Sequence, residues 1–200
     1  MHILLLNAGS SSLKASLVEP TSGLTVASSL GDWAGAETRY RYTRPDGSES
    51  SEVVPWRGHG PAVQRFISDL LHSSPVALNN RLELAAVGHR FVHGGSFTAS
   101  VRITPEIRSR LAAITDLAPL HTPPSLETLA AAESELPGTP QVAVFDTSFH
   151  STLPPHAATY PLPDRWTREW GIRRYGFHGL SHAYCTHRAA ELLQRNVADL

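Results

Sequence analysis

Residues 2–18 of the chain read HILLLNAGSSSLKASLV, and this stretch decides the fold. An apolar run ends at Asn7, the chain turns through Gly9 and three serines, and a second apolar run carries Lys14. Gly9 lets the backbone bend without a side-chain clash, so that main-chain N–H groups can converge on one point. The serine hydroxyls, the Asn7 amide and the Lys14 ammonium add donors around it. The pattern is typical of a phosphate-binding loop between paired strands, and a polar hairpin turn is the alternative.

The composition disfavours several classes of protein. With 200 residues, 41% of them hydrophobic, the chain is long enough to bury a sizeable core. The formal net charge is −1 and lysine and arginine form no long runs, so we expect no nucleic-acid and no membrane partner. The first apolar run is too short for a signal peptide or a membrane span. Cys185 is the only cysteine, so no internal disulfide can form, and we expect a cytoplasmic location.

The first sixty residues predict an antiparallel meander followed by a surface excursion. Apolar segments rich in β-forming residues at 2–6, 13–18 and 24–30 are separated by turns of glycine, serine and proline. Residues 31–60 are polar and rich in glycine. We expect them to lie on the surface, with a hairpin around residues 45–47.

Helices alternate with strands in the rest of the chain. Apolar residues at helical spacing and proline or threonine at helix starts carry this interpretation. Strands are predicted over 84–88 and 142–145, and helices from Pro61 to before Pro75, from Thr104, from Thr122 to about Leu136, and from near Ser181.

The character of the sequence changes near His150. The segment 153–173 is rich in proline and tryptophan and predicts a linker. We therefore predict one domain over 1–149, and a linker with the start of a second, truncated domain over 150–200. The last helix is expected to bury one apolar face, formed by Cys185, Ala189, Leu192 and Leu193.

Four further positions place polar side chains between apolar ones. Arg90 follows a predicted buried strand; its planar guanidinium suits carboxylate or phosphoryl oxygens, and a surface ion pair is the alternative. His121 stands beside a helix N-terminus, where anions are favoured, or packs in a turn. Asp146 ends a predicted buried strand, where it holds a metal or caps a helix. His178 lies between glycines before the last helix, where a structural role is the alternative.

Other catalytic classes lack their motifs. His178 and His182 have the spacing of one helical face, but no glutamate follows His178 as the H-E-x-x-H pattern of zinc hydrolases requires. A Walker P-loop and a G-x-S-x-G elbow are both absent from the sequence. We therefore do not expect a zinc hydrolase, a P-loop kinase or an α/β-hydrolase.

Five segments of the chain resemble motifs of the acetate kinase (acetokinase) family, which belongs to the acetate and sugar kinase, Hsp70 and actin superfamily. They follow one another along the chain in the same order as in that family. The resemblance implies an α/β fold of the ribonuclease-H-like (actin-like ATPase) kind, with a mixed five-stranded sheet, flanking helices and the start of a second domain. It also implies reversible phosphoryl transfer between ATP and acetate, which gives acetyl phosphate and ADP. The matching segments cover essentially the whole chain and are 7–14, 89–95, 117–124, 145–150 and 171–182.

The resemblance also implies roles for individual residues. Asp146 matches the catalytic, metal-associated aspartate, and Arg90 matches the arginine that holds the substrate carboxylate and the transferring phosphoryl group. His121 and His178 match histidines around that phosphoryl group. Asn7 matches a position near Mg²⁺. The residues that match the phosphate- and ATP-binding loop are Asn7, Ser10, Ser12 and Lys14.

The same resemblance implies a small acyl pocket walled by Val92, Leu120 and Phe177. Because such pockets discriminate by only about 1–3 kcal/mol per methylene, propionate is the alternative substrate. Acetate is already ionised at neutral pH. We therefore expect Asp146 to position Mg²⁺ rather than to accept a proton.

Three departures from the family pattern bear on these expectations. Thr122 stands where asparagine is usual, which leaves helix capping intact. Leu180 stands where threonine is usual, which removes a hydroxyl near His178. Family members are much longer and build the site between two domains, so a truncated, catalytically inactive fragment is the alternative to a kinase. For the complete family protein the resemblance implies a homodimer.

Overall fold

A single mixed sheet organises the chain in the computed structural model, which describes residues 1–200. The sheet has eight strands in the order β5-β4-β3-β2-β1-β6-β8-β7. Their bounds are β1 His2–Ala8, β2 Ser12–Val18, β3 Thr25–Asp32, β4 Thr38–Thr43, β5 Glu49–Val54, β6 Leu84–Phe91, β7 Val101–Arg102 and β8 Gln141–Phe145.

Six α-helices and four short 3₁₀ turns accompany the sheet. None of the helices is long and apolar enough to cross a membrane. The helices are α1 His59–His72, α2 Pro105–Ala113, α3 Thr122–Glu135, α4 Pro155–Ala158, α5 Asp164–Trp170 and α6 Gly179–Leu193.

Both parallel and antiparallel pairings occur in the sheet. The strands β1 to β5 form antiparallel neighbours joined by tight turns. In contrast, β6 lies parallel to β1, and β8 lies parallel to β6. Parallel neighbours need a crossover connection, which α1 supplies between β5 and β6 and α3 supplies before β8. The carboxyl ends of β1, β6 and β8 therefore lie at the same edge of the sheet.

The main core lies between the sheet and helices α1 and α3. Alternate residues of β1, such as Leu4 and Leu6, point towards Val63 and Phe66 of α1, and all four are at most 2% exposed. Fully burying each such side chain contributes about 1.5–3 kcal/mol. A smaller cluster joins Phe91 and Phe145 to α2. Helices α1, α2 and α3 thus cover one face of the sheet, and we call the opposite face the open face.

The expected sheet of five strands is too small, since the sheet has eight. The expectation that residues 31–60 lie on the surface is also wrong, because part of this segment is buried. The hairpin around residues 45–47 does form, but its arms are strands β4 and β5 of the sheet. Tyr40 and Tyr42 are at most 2% exposed, whereas Arg39 and Arg41, which alternate with them along the strand, are exposed. This alternation marks a half-buried strand; the polar composition of the segment concealed it.

The predicted burial by the last helix is also wrong. Cys185 is exposed, and Leu192 and Leu193 are 68% and 58% exposed. Ala189 is only partly buried. The helix α6 packs mainly on the 3₁₀ turn Ser148–Thr152, and this packing leaves Leu192 and Leu193 exposed.

Candidate active site

Three neighbouring strands bring Asn7, Arg90 and Asp146 to one edge of the sheet. Asn7 lies near the end of β1, Arg90 near the end of β6, and Asp146 directly after β8. Ligands bind outside the carboxyl ends of parallel strands in open α/β sheets. Arg90 was expected just past its strand and instead lies within it, because β6 continues to Phe91. Its side chain therefore starts from a rigid backbone.

Arg90 holds the centre of this group. Its Nε lies 2.9 Å from Asp146 Oδ1 and its Nη2 lies 2.5 Å from Asp146 Oδ2, a bidentate ion pair. Its Nη1 donates to Asn7 Oδ1 at 3.0 Å. The Asp146 side chain is 2% exposed and that of Arg90 is 29% exposed. The hydrogen bonds that Arg90 donates to Asp146 raise the pKa of Arg90 above its usual value, so the guanidinium stays charged.

A strained turn places His178 against the same carboxylate. His178 has a left-handed backbone conformation, with φ of 56°, which costs roughly 1–3 kcal/mol for a non-glycine residue. The next residue, Gly179, begins α6 and donates its N–H to the Asp146 carbonyl oxygen at 2.8 Å. A Cβ on Gly179 would collide with that carbonyl oxygen. The His178 Nδ1 consequently lies 3.9 Å from Asp146 Oδ2, with its ring 74% exposed.

The loop after β1 offers main-chain donors. The N–H groups of Ser10 and Ser11 donate to no group of the protein. Gly9 cannot be replaced without movement, because an added Cβ would lie 2.7 Å from Ser12 Oγ. Lys14 is the cross-strand partner of Asn7, so both project from the open face, and Lys14 forms no ion pair. The loop and Lys14 therefore offer donors that could hold an anion.

His121 is exposed at the start of α3. It precedes the first residue of α3, and its carbonyl oxygen accepts the Ser125 hydroxyl at 3.1 Å. The same hydroxyl lies 3.2 Å from the Arg90 carbonyl oxygen. Ser125 therefore ties the start of α3 to the strand that carries Arg90.

A cavity of about 390 Å³ opens beside Arg90 and Asp146. Sequence reasoning missed most of its lining. The signal was present, since Leu5, Gly88 and Val144 each stand two residues before Asn7, Arg90 or Asp146 and therefore share their face of the sheet. Leu180, which departs from the family pattern, supplies an apolar wall. The lining residues are Leu5, Leu6, Asn7, Gly88, Arg90, Val144, Asp146, His178, Leu180 and Ser181.

The structure does not bring the predicted acyl-pocket residues to the lining of this cavity. Val92 directly follows β6 and is partly buried. Leu120 is 72% exposed and Phe177 is 44% exposed. The Phe177 ring lies 5.8 Å from the ring of His93, and burial lowers the pKa of His93 below its usual value. The assignment of Val92, Leu120 and Phe177 to an acyl pocket therefore stays a prediction.

The site contains few ligands for a metal ion. No group of three or more histidine, cysteine, aspartate or glutamate side chains converges in the structure. Asp146 and Asn7 offer one carboxylate and one amide oxygen, and Arg90 bridges them. Such a pair fits Mg²⁺, which commonly takes one or two protein oxygens and completes its coordination with phosphates and water.

The mixed sheet, with polar groups at the carboxyl ends of its parallel strands, places the chain in the ribonuclease-H-like fold of the actin-like ATPases. Solved kinase structures superpose on nearly all of it. The crystal structure of Porphyromonas gingivalis acetate kinase matches with a TM-score of 0.87 and 39% identity, over 98% of this chain and 50% of that one. A propionate kinase from Francisella tularensis matches with a TM-score of 0.85 and 33% identity, over the same shares.

More particularly, the chain belongs to the acetokinase family, whose model matches residues 2–200. It is 41% identical to the acetate kinase of Thermoanaerobacter pseudethanolicus over 202 aligned residues, which cover all of this chain and 50% of that relative. The chain spans about half the length of the acetate kinases that it matches. This confirms the resemblance on which the sequence analysis relied.

Proposed function

We propose that the chain provides one wall of an acetate kinase active site, where a phosphoryl group passes reversibly between ATP and acetate to give acetyl phosphate and ADP. The observation that carries this proposal is the arginine at the carboxyl edge of the sheet, flanked by Asp146 and Asn7 and by a loop with free N–H groups. Phosphoryl transfer depends mainly on alignment and on neutralising the charge of the phosphoryl oxygens. A fixed arginine beside a phosphate cradle provides both.

Arg90 would bind the substrate carboxylate and the transferring phosphoryl group. Its fork is already filled by the Asp146 carboxylate, in the geometry that a substrate carboxylate also requires. Binding therefore involves an exchange in which Arg90 turns part of its fork outward. Asn7 also accepts from the guanidinium and steadies it during that exchange.

The loop and its lysine would hold the phosphates of the nucleotide. We assign Ser10, Ser12 and Lys14 to this role, supported by the free N–H groups of Ser10 and Ser11. Mg²⁺ arriving with the nucleotide supplies positive charge to the phosphate oxygens when it is bound. Asp146 and Asn7 are the residues that would hold it.

His121 and His178 would donate to the phosphoryl oxygens from two sides. The proximity of His178 to Asp146, at 3.9 Å, supports its assignment. Acetate needs no strong base, since it is ionised at neutral pH, so we assign positioning and metal binding to Asp146.

For the acyl group, we propose that Val92, Leu120 and Phe177 form the wall, with Leu120 and Phe177 offering exposed apolar side chains. Propionate is a second candidate substrate, favoured by the similarity to a propionate kinase. Pockets of this kind discriminate by about 1–3 kcal/mol per methylene. We further propose a cytoplasmic location and a homodimer for the complete family protein.

The test is acetyl phosphate formation, trapped as the hydroxamate, with purified chain, acetate, Mg²⁺ and ATP. Arg90→Ala should lower the rate roughly a hundredfold or more, because it removes a group that neutralises the transition state. Arg39→Ala is the matched control, since Arg39 is an exposed strand arginine of the same sheet. Unchanged activity in Arg90→Ala would contradict the role of Arg90.

The same assay is repeated with the second half of the Thermoanaerobacter enzyme added, because the chain spans half of that relative. Activity that appears only in the mixture, and is lost with Arg90→Ala, places the missing groups on the added half. Absence of activity from the mixture would overturn the proposal that this chain forms a competent wall of the site.

A further inference from the structure

A buried histidine outside the motifs reaches the phosphate loop. His59 is the first residue of α1 and is 4% exposed. Its Nε2 lies 2.7 Å from the carbonyl oxygen of Gly9, and its Nδ1 lies 3.3 Å from Glu127 Oε2 on α3. The Trp33 ring packs edge-on against the imidazole, with the ring centroids 4.8 Å apart. One side chain therefore connects the loop to two helices.

The hydrogen bond to Gly9 has a defined direction. A carbonyl oxygen only accepts, so His59 Nε2 must carry the hydrogen of this bond. The contact to Glu127 then requires a proton on either the imidazole Nδ1 or the carboxyl group. With the proton on either group, both ring nitrogens have a hydrogen-bond partner, and these two bonds fix the ring with Nε2 towards Gly9.

The orientation of the Gly9 carbonyl sets the orientation of the next N–H group. In a trans peptide unit the C=O of one residue and the N–H of the next point in opposite directions. Because His59 holds the Gly9 carbonyl on the core side, the N–H of Ser10 faces away from the core. A hydrogen bond to a carbonyl also polarises its peptide group and strengthens the N–H as a donor.

The other end of the loop is held in a similar way. The main-chain N–H of Trp33 donates to the carbonyl oxygen of Ser11 at 2.9 Å, and the main-chain N–H of Gly9 donates to the Ser12 carbonyl oxygen at 2.8 Å. These bonds use the loop's acceptors and leave the N–H groups of Ser10 and Ser11 without a protein partner. Of the three hydrogen bonds that hold the loop carbonyls, the one from His59 is the only one that a side chain donates.

We propose that His59 is a positioning residue for phosphate binding: its Nε2–H holds the Gly9 carbonyl on the core side so that the Ser10 N–H is presented to a phosphoryl oxygen. This inference rests on the proposed function of the loop. It assigns to His59 no contact with the ligand. The competing explanation is that His59 only packs between α1 and α3 and that the loop keeps its conformation without it.

Two substitutions separate these explanations. In His59→Gln the side-chain amide nitrogen can reach the place of Nε2 and still donate to Gly9. In His59→Asn the shorter side chain places its amide near Nδ1, which keeps the contact with Glu127 and loses the one with Gly9. Both variants replace the ring with a neutral amide, so each controls for the loss of packing against Trp33.

The probe is inorganic phosphate, titrated into the full chain labelled with ¹⁵N, and the readouts are the amide resonances of Ser10 and Ser11. Wild-type protein and His59→Gln should bind phosphate with similar dissociation constants. His59→Asn should bind about tenfold more weakly, which corresponds to about 1.4 kcal/mol, the scale of one hydrogen bond. The Gly9 amide, which donates to the Ser12 carbonyl oxygen, should also exchange faster in His59→Asn without phosphate, while the melting temperatures of the two variants stay close.

The outcomes distinguish the inference from the proposed function. If His59→Asn keeps the wild-type phosphate affinity and Gly9 exchange rate, the inference is overturned and the loop's role stands. If His59→Gln is impaired as strongly as His59→Asn, the ring packing decides the affinity and the inference is also overturned. If wild-type protein shows no phosphate-dependent shift at Ser10, the loop is not a phosphate site, and the proposed function fails together with the role of His59.

Discussion

At the scale of single residues, the ion pair between Arg90 and Asp146 explains why the site is both ordered and open to exchange. Removing one member of a buried pair strands the other charge, at a cost of about 3–5 kcal/mol when both are fully buried. Here Asp146 is buried but Arg90 is 29% exposed, so water and an incoming anion can reach the guanidinium. An incoming anion can therefore compete for Arg90, whereas Asp146 keeps its place.

A second ionisable residue, His89, stabilises the fold only in its neutral form. It is 1% exposed on β6, and its Nε2 lies 2.7 Å from Gln141 Oε1. Its Nδ1 has no partner. Burial lowers the pKa of His89 from 6.5 to about 4. Since the unfolded chain takes up this proton more readily than the folded chain, acid favours unfolding.

We predict that the free energy of unfolding falls as the pH drops from about 6.5 towards 4, because the folded-state pKa of His89 is the lower one. The contribution of His89 is fully present above pH 6.5 and amounts to about 2–3 kcal/mol lost by pH 4.5. Urea denaturation at pH 7.5 and 4.5 measures this difference. His89→Gln should shrink it, and the exposed His187→Gln should not. An unchanged difference in His89→Gln contradicts the assignment.

At the scale of elements, each strand of the site serves two faces. In β6 the buried residues Val87, His89 and Phe91 point to the helices, and Gly88 and Arg90 point to the open face. The period of two residues therefore couples core packing to the placement of Arg90 at the candidate site. A one-residue slip of β6 would exchange these sets, so the core itself enforces the register of the site.

The junction of α6 with the end of β8 yields a prediction at this scale. In Gly179→Ala the added methyl group meets the Asp146 carbonyl oxygen and lies 2.7 Å from Phe149 Cβ, so α6 and His178 must shift. We expect a loss of about 1–3 kcal/mol. Gly60 of α1 has nothing within 4 Å of an added Cβ, so Gly60→Ala should stabilise by about 0.4–1 kcal/mol. Thermal unfolding followed by circular dichroism compares the two, and equal melting temperatures would refute the proposed contact.

At the scale of the whole molecule, helices cover one face of the sheet and leave the other partly open. Leu5 on the open face is 43% exposed. The outer face of α6 adds Tyr184, Leu192 and Leu193, which are 69%, 68% and 58% exposed. Apolar surface of this kind favours association when it is contiguous.

We therefore predict that the 200-residue chain self-associates. In sedimentation velocity its average mass should rise with concentration, and the double variant Leu192→Glu with Leu193→Glu should reduce that rise by removing apolar surface and adding charge. Leu82→Glu is the control, since Leu82 is 94% exposed and lies on the 3₁₀ turn before β6. Wild-type protein that stays monomeric at every concentration would contradict the prediction.

Much of the architecture was predictable because it depends on local pattern. Apolar segments rich in β-forming residues located β1, β2, β3, β6 and β8, and proline and threonine at helix starts located α2 and α3. The polar composition of β4 led to a wrong prediction of surface exposure, although its arginines and tyrosines alternate as in a half-buried strand. The tyrosine rings of β4 are buried. The buried hydroxyl of Tyr40 has a hydrogen-bond partner, since it donates to the Asp69 carboxylate at 2.7 Å. The division of the chain at residue 149 stays a prediction.

The sequence by itself determined the family, because motif order is a property of the linear chain. Only the tertiary structure decided which groups meet. The bond from His59 to Gly9 spans 50 positions, and the pairing of Arg90 with Asp146 spans 56. No local spacing encodes such contacts. They arise when the core brings distant strands and helices to one edge of the sheet, which is a property of packing.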